Sequence, residues 1–298
     1  WARSQTISGP VLIIPYKRQE VVDRGKEGTE TREYIQKAFF LPSQLSVNGN
    51  IEPEILHRGI FDAVVYESTL NVDAEFTKPD FKSLSIPDEM VLWNEAQMVF
   101  GITDVRGIKD SLTLKGGDKV LEAEPSNNIG ILIKKDYRPE QSDDSYDVQP
   151  PDVLDNGITT KLTWENRDSF VGKISLHLDL KGSKRLDFIP TGKTTSITLT
   201  GSWSNPSFDG AFLPETRKVT KSGFTASWNV LHFNRPFPQQ WIQNDQELSG
   251  DFGVKLLLPV DQYQKSMRTA KYGILIILLT FMAMFLVEIT QKIRIHPF

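Results

Sequence analysis

The residues with the clearest potential for chemistry are Gly192, Lys193 and Thr194, which resemble the end of a phosphate-binding P-loop. In that motif, backbone N–H groups and the lysine hold nucleotide phosphates at the start of a helix. The motif needs a glycine five positions before Gly192, where this chain has Asp187. Residues 196–200 alternate between apolar and polar and predict a strand, so a hairpin turn is the favoured interpretation.

The histidines, cysteines and carboxylates of the chain supply no second candidate for a catalytic or metal-binding site. The chain has four histidines and no cysteine, which removes disulfides, thiolate catalysis and cysteine-type zinc sites. No two histidines have metal-ligand spacing, and the acidic residues within 143–155 lack the spacing of a calcium loop. The sequence therefore predicts no catalytic residue, no metal and no cofactor. With 38 acidic residues, the alternative that two carboxylates form a glycosidase-like pair stays open.

Large apolar side chains crowd the turn-rich residues 203–214, which include two prolines. Together with Arg217, the side chains of Trp203, Phe208 and Phe212 form a candidate contact surface for a glycan, a lipid or a partner protein. The favoured alternative is that this segment packs against the end of a β-sandwich or seats the domain on a bilayer.

Two Arg-Gly-Ile turns have a candidate structural role. Arg58-Gly59 and Arg106-Gly107 each precede an isoleucine at a predicted strand start. Each turn is expected to place an arginine where it holds carboxylates or carbonyls, rather than to catalyse a reaction.

Short strands separated by clusters of Gly, Pro, Asn and Asp dominate the chain before residue 261. Strands are predicted at 11–14, 34–40, 60–72, 172–182, 196–200, 224–231 and 252–258. The clearest is 172–182, where leucine or isoleucine alternates with polar residues, as in a strand with one buried face. The pattern predicts a mainly β fold with a β-sandwich-like architecture.

An acidic, proline-rich segment at 136–157 predicts a linker near the middle of the chain. The L-x-L-x-G pattern at 112–116 recurs at 178–182. Two related β halves are one explanation, and hairpins that recur in any β protein are the other. The expected organisation is a first β domain over 1–150, a second over 151–262, a transmembrane helix with its lead-in over 263–291, and the start of a cytoplasmic loop over 292–298.

A run without charge near the C-terminus predicts the membrane helix. Residues 272–287 contain no charged side chain, and the flanking residues bring the helix to the ~20 residues that span a bilayer core. Lys271, Tyr272 and Glu288 are the predicted anchors, and Lys271 can extend its amine to the interface. No face of the helix is polar, which disfavours a buried core helix. Basic residues flank both ends, so the charge pattern leaves the orientation open.

The charge of the chain is nearly balanced, with 34 basic and 38 acidic residues and a net charge of −4. The chain therefore lacks the excess of basic residues that is typical of nucleic-acid-binding proteins. The chain starts at Trp1 and ends without a polar tail, so it is expected to be part of a longer protein.

Several segments together resemble the CreD family of bacterial inner-membrane proteins, also called cell envelope integrity proteins. They read S-G-P-V-L-I-I-P-Y from Ser8, H-R-G-I-F from His57, D-V-R-G-I from Asp104, P-S-F-D-G-A-F-L-P from Pro206, G-F-T-A-S-W from Gly223 and P-V-D-Q-Y from Pro259. The segments span nearly the whole chain in order, and they are specific as a set rather than singly.

This resemblance implies a transmembrane helix before Trp1 and further hydrophobic helices after Phe298. It implies an inner-membrane protein whose residues 1–270 are periplasmic and whose C-terminal end is cytoplasmic. It also implies a role in envelope integrity and in the response to stress and antibiotics, with no assigned catalytic residue.

The expected function is therefore non-enzymatic. The bilayer is one expected partner, and an unidentified envelope protein, lipid or glycan is the other. Two alternatives stay open: a periplasmic enzyme or binding factor that acts on glycans, and a lipid or ion transporter that uses helices absent from this chain. The oligomeric state is open as well, a homo-oligomer included.

Overall fold

The computed structural model describes residues 1–23, 29–58, 61–134, 153–242, 246–258 and 262–291. Residues Trp1–Leu257 form one compact unit, and Leu258–Phe298 form a second. Strands dominate the first unit, and the described part of the second is the helix α1, Gln262–Gln291. The predicted mainly β fold is confirmed.

The described strands, numbered in chain order, form two large open sheets and one small sheet. The nine-stranded sheet contains β1 (Gln5–Asp23), β2 (Thr29–Phe40), β5 (Gln97–Ile102), β8 (Glu124–Ser126), β11 (Gly157–Lys161), β13 (Arg185–Phe188), β15 (Pro206–Gly210), β18 (Gln240–Ile242) and β20 (Phe252–Leu256). The eight-stranded sheet contains β3 (Gln44–Arg58), β4 (Phe61–Glu75), β6 (Thr113–Gly116), β7 (Lys119–Glu122), β12 (Lys173–Ser183), β14 (Thr194–Gly201), β16 (Thr216–Thr220) and β17 (Gly223–Leu231). The small sheet contains β9 (Leu132–Lys134), β10 (Val153–Leu154) and β19 (Glu247–Leu248).

The eight-stranded sheet positions the candidate site. Its order is β16-β17-β14-β3-β4-β12-β6-β7. The long hairpin β3–β4 lies at its centre, and β14 pairs with β3 in parallel while β12 pairs with β4 antiparallel. Side chains alternate between the two faces along each strand: Leu176 and Leu178 of β12 are buried, whereas His177 between them is exposed. The alternation predicted for 172–182 is thus confirmed.

The two large sheets face each other through a layer of aromatic rings. The Trp228 ring on β17 lies 5.8 Å from the Phe208 ring on β15 and 5.8 Å from the Phe252 ring on β20. Phe208 also contacts Phe224 at 5.7 Å. Burying a large aromatic side chain stabilises a fold by about 3 kcal/mol, so this layer is a main connection between the sheets.

An ion network within the nine-stranded sheet lies beside a hydrogen bond that joins the two large sheets. The Arg185 guanidinium on β13 binds the carboxylates of Asp187 and Asp209, with closest contacts of 3.0 Å and 2.6 Å. Burial alone would lower the pKa of Arg185, but its bonds to the two carboxylates outweigh burial and raise that pKa. The Tyr66 hydroxyl on β4 donates to the carbonyl oxygen of Arg185 at 2.7 Å.

A second apolar core lies between the nine-stranded sheet and the small sheet. Val11 and Phe39 of the large sheet pack there with Ile131, Ile133 and Leu248, all of which are buried. The predicted strands at 11–14 and 34–40 lie within β1 and β2, and the other predicted strands each overlap a described strand.

The P-loop interpretation fails on secondary structure. Thr194 begins the strand β14 rather than a helix. The hairpin-turn interpretation of Gly192-Lys193-Thr194 is wrong as well, because β13 before it and β14 after it belong to different sheets and do not pair. The segment connects the two large sheets. Of the acidic run 143–155, the structure describes Asp155. Its carboxylate accepts a hydrogen bond from the Gly130 N–H at 2.9 Å, and burial raises its pKa.

The predicted boundary between the domains 1–150 and 151–262 falls within residues 135–152, outside the described ranges. Strands from the two sides of it pair directly, β1 with β13 and β3 with β14. Whether two related halves exist stays a prediction.

The helix α1 contains the predicted anchor segment. Its described large apolar side chains, from Tyr272 to Ile289, are 44–69% exposed. Among the described residues, no helix combines the length and the apolar character that crossing a membrane requires.

Candidate functional site: the polar face of the eight-stranded sheet

The outward side of the four central strands carries a regular array of small polar side chains, here called the polar face. Three rows of residues, paired by register, cross β14, β3, β4 and β12. The rows are Thr200, Asn50, Thr69 and Asp179; Thr198, Asn48, Asn71 and His177; and Ser196, Ser46, Asp73 and Ser175. None of these twelve side chains is apolar, because the apolar residues of each strand occupy the alternate, inward positions.

Hydrogen bonds within the rows hold these side chains in place. The Ser175 hydroxyl donates to the Asp73 carboxylate at 2.6 Å, and the Thr69 hydroxyl donates to Asp179 at 2.6 Å. The Asn71 amide oxygen lies 2.7 Å from His177 Nδ1. Such cross-strand pairs order the face before any ligand arrives.

Three outward residues of β12, Ser175, His177 and Asp179, are the types found in a nucleophilic triad. Their geometry does not assemble one. His177 Nε2 lies 3.5 Å from Asp179, but its Nδ1 faces Asn71, and the Ser175 hydroxyl donates to Asp73. Without a serine–histidine bond, the serine has no base to activate it. The described residues also contain no cluster of His, Cys, Asp or Glu that could hold a metal ion.

Charged pairs lie at the two ends of the polar face, outside its three rows. At one end, Lys173 lies 3.0 Å from Glu75. At the other end, Glu67 contacts both Lys181 at 2.9 Å and Lys109 at 2.6 Å. The hydrogen bonds from Lys109 and Lys181 lower the pKa of Glu67. The rows between these ends contain two carboxylates and no lysine or arginine.

A groove of about 510 Å³ lies over the third row and the charged pair next to it. Its polar lining consists of Gln44, Ser46, Asp73, Glu75, Lys173, Ser175 and Ser196. This volume falls within the range of small-molecule sites, roughly 300–1,000 Å³. The groove is therefore large enough for a ligand of a few ring units, and its lining offers hydroxyl and carboxylate groups.

An exposed apolar rim stands at the same end of the sheet as the groove. Leu231 pairs with Thr194, and Thr194 pairs with Gln44 of the groove. Phe233 follows two residues later and is 85% exposed. Its ring lies 3.9 Å from that of His232, whose N–H donates to the carbonyl of Lys193.

The residues of the predicted contact surface mostly have interior contacts. Trp203 is buried, and its indole N–H donates to the Leu257 carbonyl at 3.1 Å. Phe208 and Phe212 are half-buried; Phe208 belongs to the aromatic layer, and the Phe212 ring lies 5.5 Å from that of Phe252. Arg217 is exposed on the edge strand β16. These placements favour the packing alternative, and a contact surface formed by the four stays a prediction.

The second predicted turn has the geometry of an arginine–carboxylate clamp. Arg106 Nε and Nη2 bind both oxygens of Asp104, at 2.8 Å and 2.7 Å. Those bonds lower the pKa of Asp104 to about 2. Gly107 is buried, and an added Cβ would collide with the carbonyl oxygen of Lys181. Of the first turn, Arg58 ends β3, and Gly59 lies outside the described residues.

The predicted membrane anchors lie within α1. Tyr272 is 62% exposed. Lys271 and Glu288 belong to the helix, but their side chains lie outside the described part of the chain.

A family model described as "Inner membrane protein CreD" matches residues 1–298. The chain belongs to the CreD family. A relative in Escherichia coli (strain K12), Inner membrane protein CreD, is 30% identical over 297 residues, which is 98% of this chain and 60% of that protein. The CreD-family chain therefore spans 60% of the length of the curated relative that it matches. Both names place the family in the inner membrane, and the resemblance seen in the sequence motifs is confirmed.

Sequence reasoning missed the polar face of this CreD-family chain. The alternation at 172–182 and 196–200 identified the strands, but their polar positions read as ordinary solvated residues. The residue types at these positions did carry a signal. The outward positions of β14 are all Ser or Thr, whereas exposed strands commonly carry long charged side chains at such positions.

Proposed function

We propose that this CreD-family chain is a periplasmic β unit that serves envelope integrity and the response to stress and antibiotics by binding another envelope component. The polar face is the observation that carries the proposal. Its twelve small side chains lose little rotamer entropy when a ligand binds, unlike lysine or glutamate, and several are already fixed by mutual hydrogen bonds.

Membrane attachment through α1 is the second part of the proposal. Residues 272–287 contain no charge, and their large apolar side chains are exposed. The family name supports an inner-membrane protein. Residues 1–270 are assigned to the periplasm and the C-terminal end to the cytoplasm, as the family resemblance implies. Other helices of the whole protein would share the anchoring.

The partners of the carboxylates favour binding over glycoside hydrolysis. Asp73 and Glu75 both line the groove and lie two residues apart on one side of β4, with about 7 Å between their Cα atoms. Glycosidases hold their two carboxyl groups roughly 5–9.5 Å apart, so the spacing alone does not decide. Asp73 accepts the Ser175 hydroxyl and Glu75 pairs with Lys173 at 3.0 Å, so neither carboxylate is set apart as the general acid that glycoside cleavage requires.

A cell-based experiment tests the proposal. Asn48→Arg and Asn71→Arg together place two long, charged side chains in the middle row of the polar face. In the full-length protein, the double variant is expected to give the same sensitivity to detergents and β-lactams as a deletion of the gene. The matched control is Asn127→Arg, which changes an exposed asparagine after β8 in the other large sheet.

Protein level and melting temperature of each variant are measured in parallel. A double variant that is normally folded and fully resistant would contradict the proposal, because a blocked face would then have no consequence for the envelope.

A further inference from the structure

We propose that the occupant of the polar face is a linear, uncharged glycan chain that lies across the strands. This assignment rests on the proposed function and names the chemistry of the envelope component. It follows from four properties of the face: the kind of hydrogen-bonding groups, their spacing, their charge and the aromatic ring at the rim.

The hydrogen-bonding groups suit a ligand rich in hydroxyls. The middle row combines hydroxyl, amide and imidazole groups, and the third row combines hydroxyls with one carboxylate, so donors and acceptors lie side by side. Asp73 uses one oxygen for the Ser175 hydroxyl, and a carboxylate offers about four acceptor sites. A sugar ring presents the same mixture, since each hydroxyl can both donate and accept.

The spacing of the rows suits a polymer. Adjacent strands are about 4.8 Å apart, which is close to the length of one sugar ring. The third row continues to Asn229 on β17 and to Lys115 on β6, so it crosses six strands and runs for roughly 24 Å. The groove lies over the middle of this row, where it would hold the central sugars.

The charge distribution disfavours an anionic ligand. The lysines at the ends of the face, Lys173, Lys181 and Lys109, are each within 3.0 Å of a glutamate. Between them, Asp73 and Asp179 carry negative charge. On the four central strands, a phosphorylated saccharide would meet these carboxylates without an opposing guanidinium or ammonium in the rows, whereas an uncharged one would not be repelled. Lys115 lies at the β6 end of the extended third row, outside these central strands.

The rim supplies the apolar contact that sugar rings need. One side of a pyranose ring exposes C–H groups, which pack against aromatic rings. Phe233 is exposed at the groove end of the face, and little in the folded chain covers its ring besides His232. An exposed phenylalanine adds nothing to core packing, so its effect on binding can be measured separately from stability.

The test is calorimetric titration of the full-length protein in lipid nanodiscs with a tetrasaccharide of β-1,4-linked N-acetylglucosamine. We expect saturable binding. Phe233→Ala should weaken it roughly fivefold, and Asn48→Ala with Asn71→Ala roughly tenfold. Asn127→Ala is the control and should bind as the unaltered protein does. Melting temperatures of all variants should agree, because the altered side chains are exposed.

Absence of saturable binding, or binding that none of the face variants weakens, overturns the assignment. Tighter binding of the same tetrasaccharide carrying a phosphate overturns it as well, because the ligand would then be an anionic saccharide.

The two proposals fail separately. If no saccharide binds but the double arginine variant still reproduces the deletion phenotype, the glycan assignment is wrong and the proposed function stands. If the tetrasaccharide binds, and arginines in the face block it without any envelope phenotype, the ligand is correct and the proposed function is wrong.

Discussion

The inner and outer sides of β17 differ in what they contribute to the molecule. Trp228 points inward and contacts the rings of Phe208 and Phe252 on the opposite sheet. Ser227 and Asn229, its sequence neighbours, point outward and extend the rows of the polar face. The inward side should determine stability, and the outward side should be nearly neutral for folding. The conspicuous aromatic residues of this region are thus mostly structural, whereas the candidate binding surface consists of inconspicuous Ser, Thr and Asn.

Replacing Trp228 should produce the largest loss of stability. Trp228→Ala removes a buried ring and its 3.2 Å hydrogen bond to the Phe212 carbonyl. The free energy of unfolding should fall by about 4 kcal/mol, measured by chemical denaturation. Asn229→Ala on the same strand is the matched control and should change it by less than about 0.5 kcal/mol. Equal losses for the two variants would mean that the sides of β17 do not differ as described.

Breaking a buried ion pair should lower the free energy of unfolding much more than breaking an exposed one, with almost as large a difference as that between the two β17 variants. Asp187→Ala leaves the buried Arg185 with Asp209 as its described carboxylate partner, and should lower the free energy of unfolding by about 3 kcal/mol. Glu75→Ala breaks the exposed pair with Lys173 and should change it by less than about 0.5 kcal/mol. A cost for Glu75→Ala as large as that for Asp187→Ala would contradict this ordering.

The clamp of Asp104 and Arg106 should make an intermediate contribution to the free energy of unfolding, and this contribution should depend on pH. The folded pKa of Asp104, about 2, lies below its ordinary value of 3.8. Its ionised form therefore stabilises the fold above about pH 4, and this contribution disappears as the pH falls toward 2. Asp104→Asn should cost about 1 kcal/mol at pH 7, after allowance for solvent screening, and less at pH 2.

The check on this clamp is denaturation of the parent and of Asp104→Asn at several pH values from 7 to 2. The two stability curves should converge at the acid end. A constant difference across the range would show that the carboxylate charge is not what the turn uses.

The smallest effect is expected within the polar face itself. Asn48→Ala and Asn71→Ala should each change the free energy of unfolding by less than about 0.5 kcal/mol, since both side chains are exposed. Differential scanning calorimetry measures the change. A loss of several degrees in melting temperature would mean that the rows of hydrogen bonds stabilise the sheet, and it would weaken the argument that they are arranged for a ligand.

Local patterns were sufficient to predict the strands, but not their neighbours. The alternation along 172–182 identifies a strand with one buried face from the sequence alone, and β12 has that property. The interior position of Trp203 depends on Leu257, which is 54 residues away. No local pattern encodes that contact, so the residues of 203–214 could be read equally as surface or as core.

The rows of the polar face are hidden in the sequence for a related reason. Asn48, Asn71 and His177 are adjacent only because β3 pairs with β4 and β4 with β12 in one particular register. A shift by one residue would send each side chain to the opposite face. The long β3–β4 hairpin and the buried leucines set this register together, and neither feature alone is specific enough to predict it from the sequence.

The position of β1 sets an order of assembly for the whole β unit. Gln5–Ile7 pair with Leu186–Phe188, so the start of β1 waits for a partner about 180 residues later in the chain. At ordinary rates of translation, this delay is roughly 10–40 s. Residues 11–14 pair earlier, with β2 and β5, but during that interval one backbone edge of Gln5–Ile7 lacks its partner strand. The fold therefore leaves one edge of β1 open to pairing with other strands until β13 has emerged.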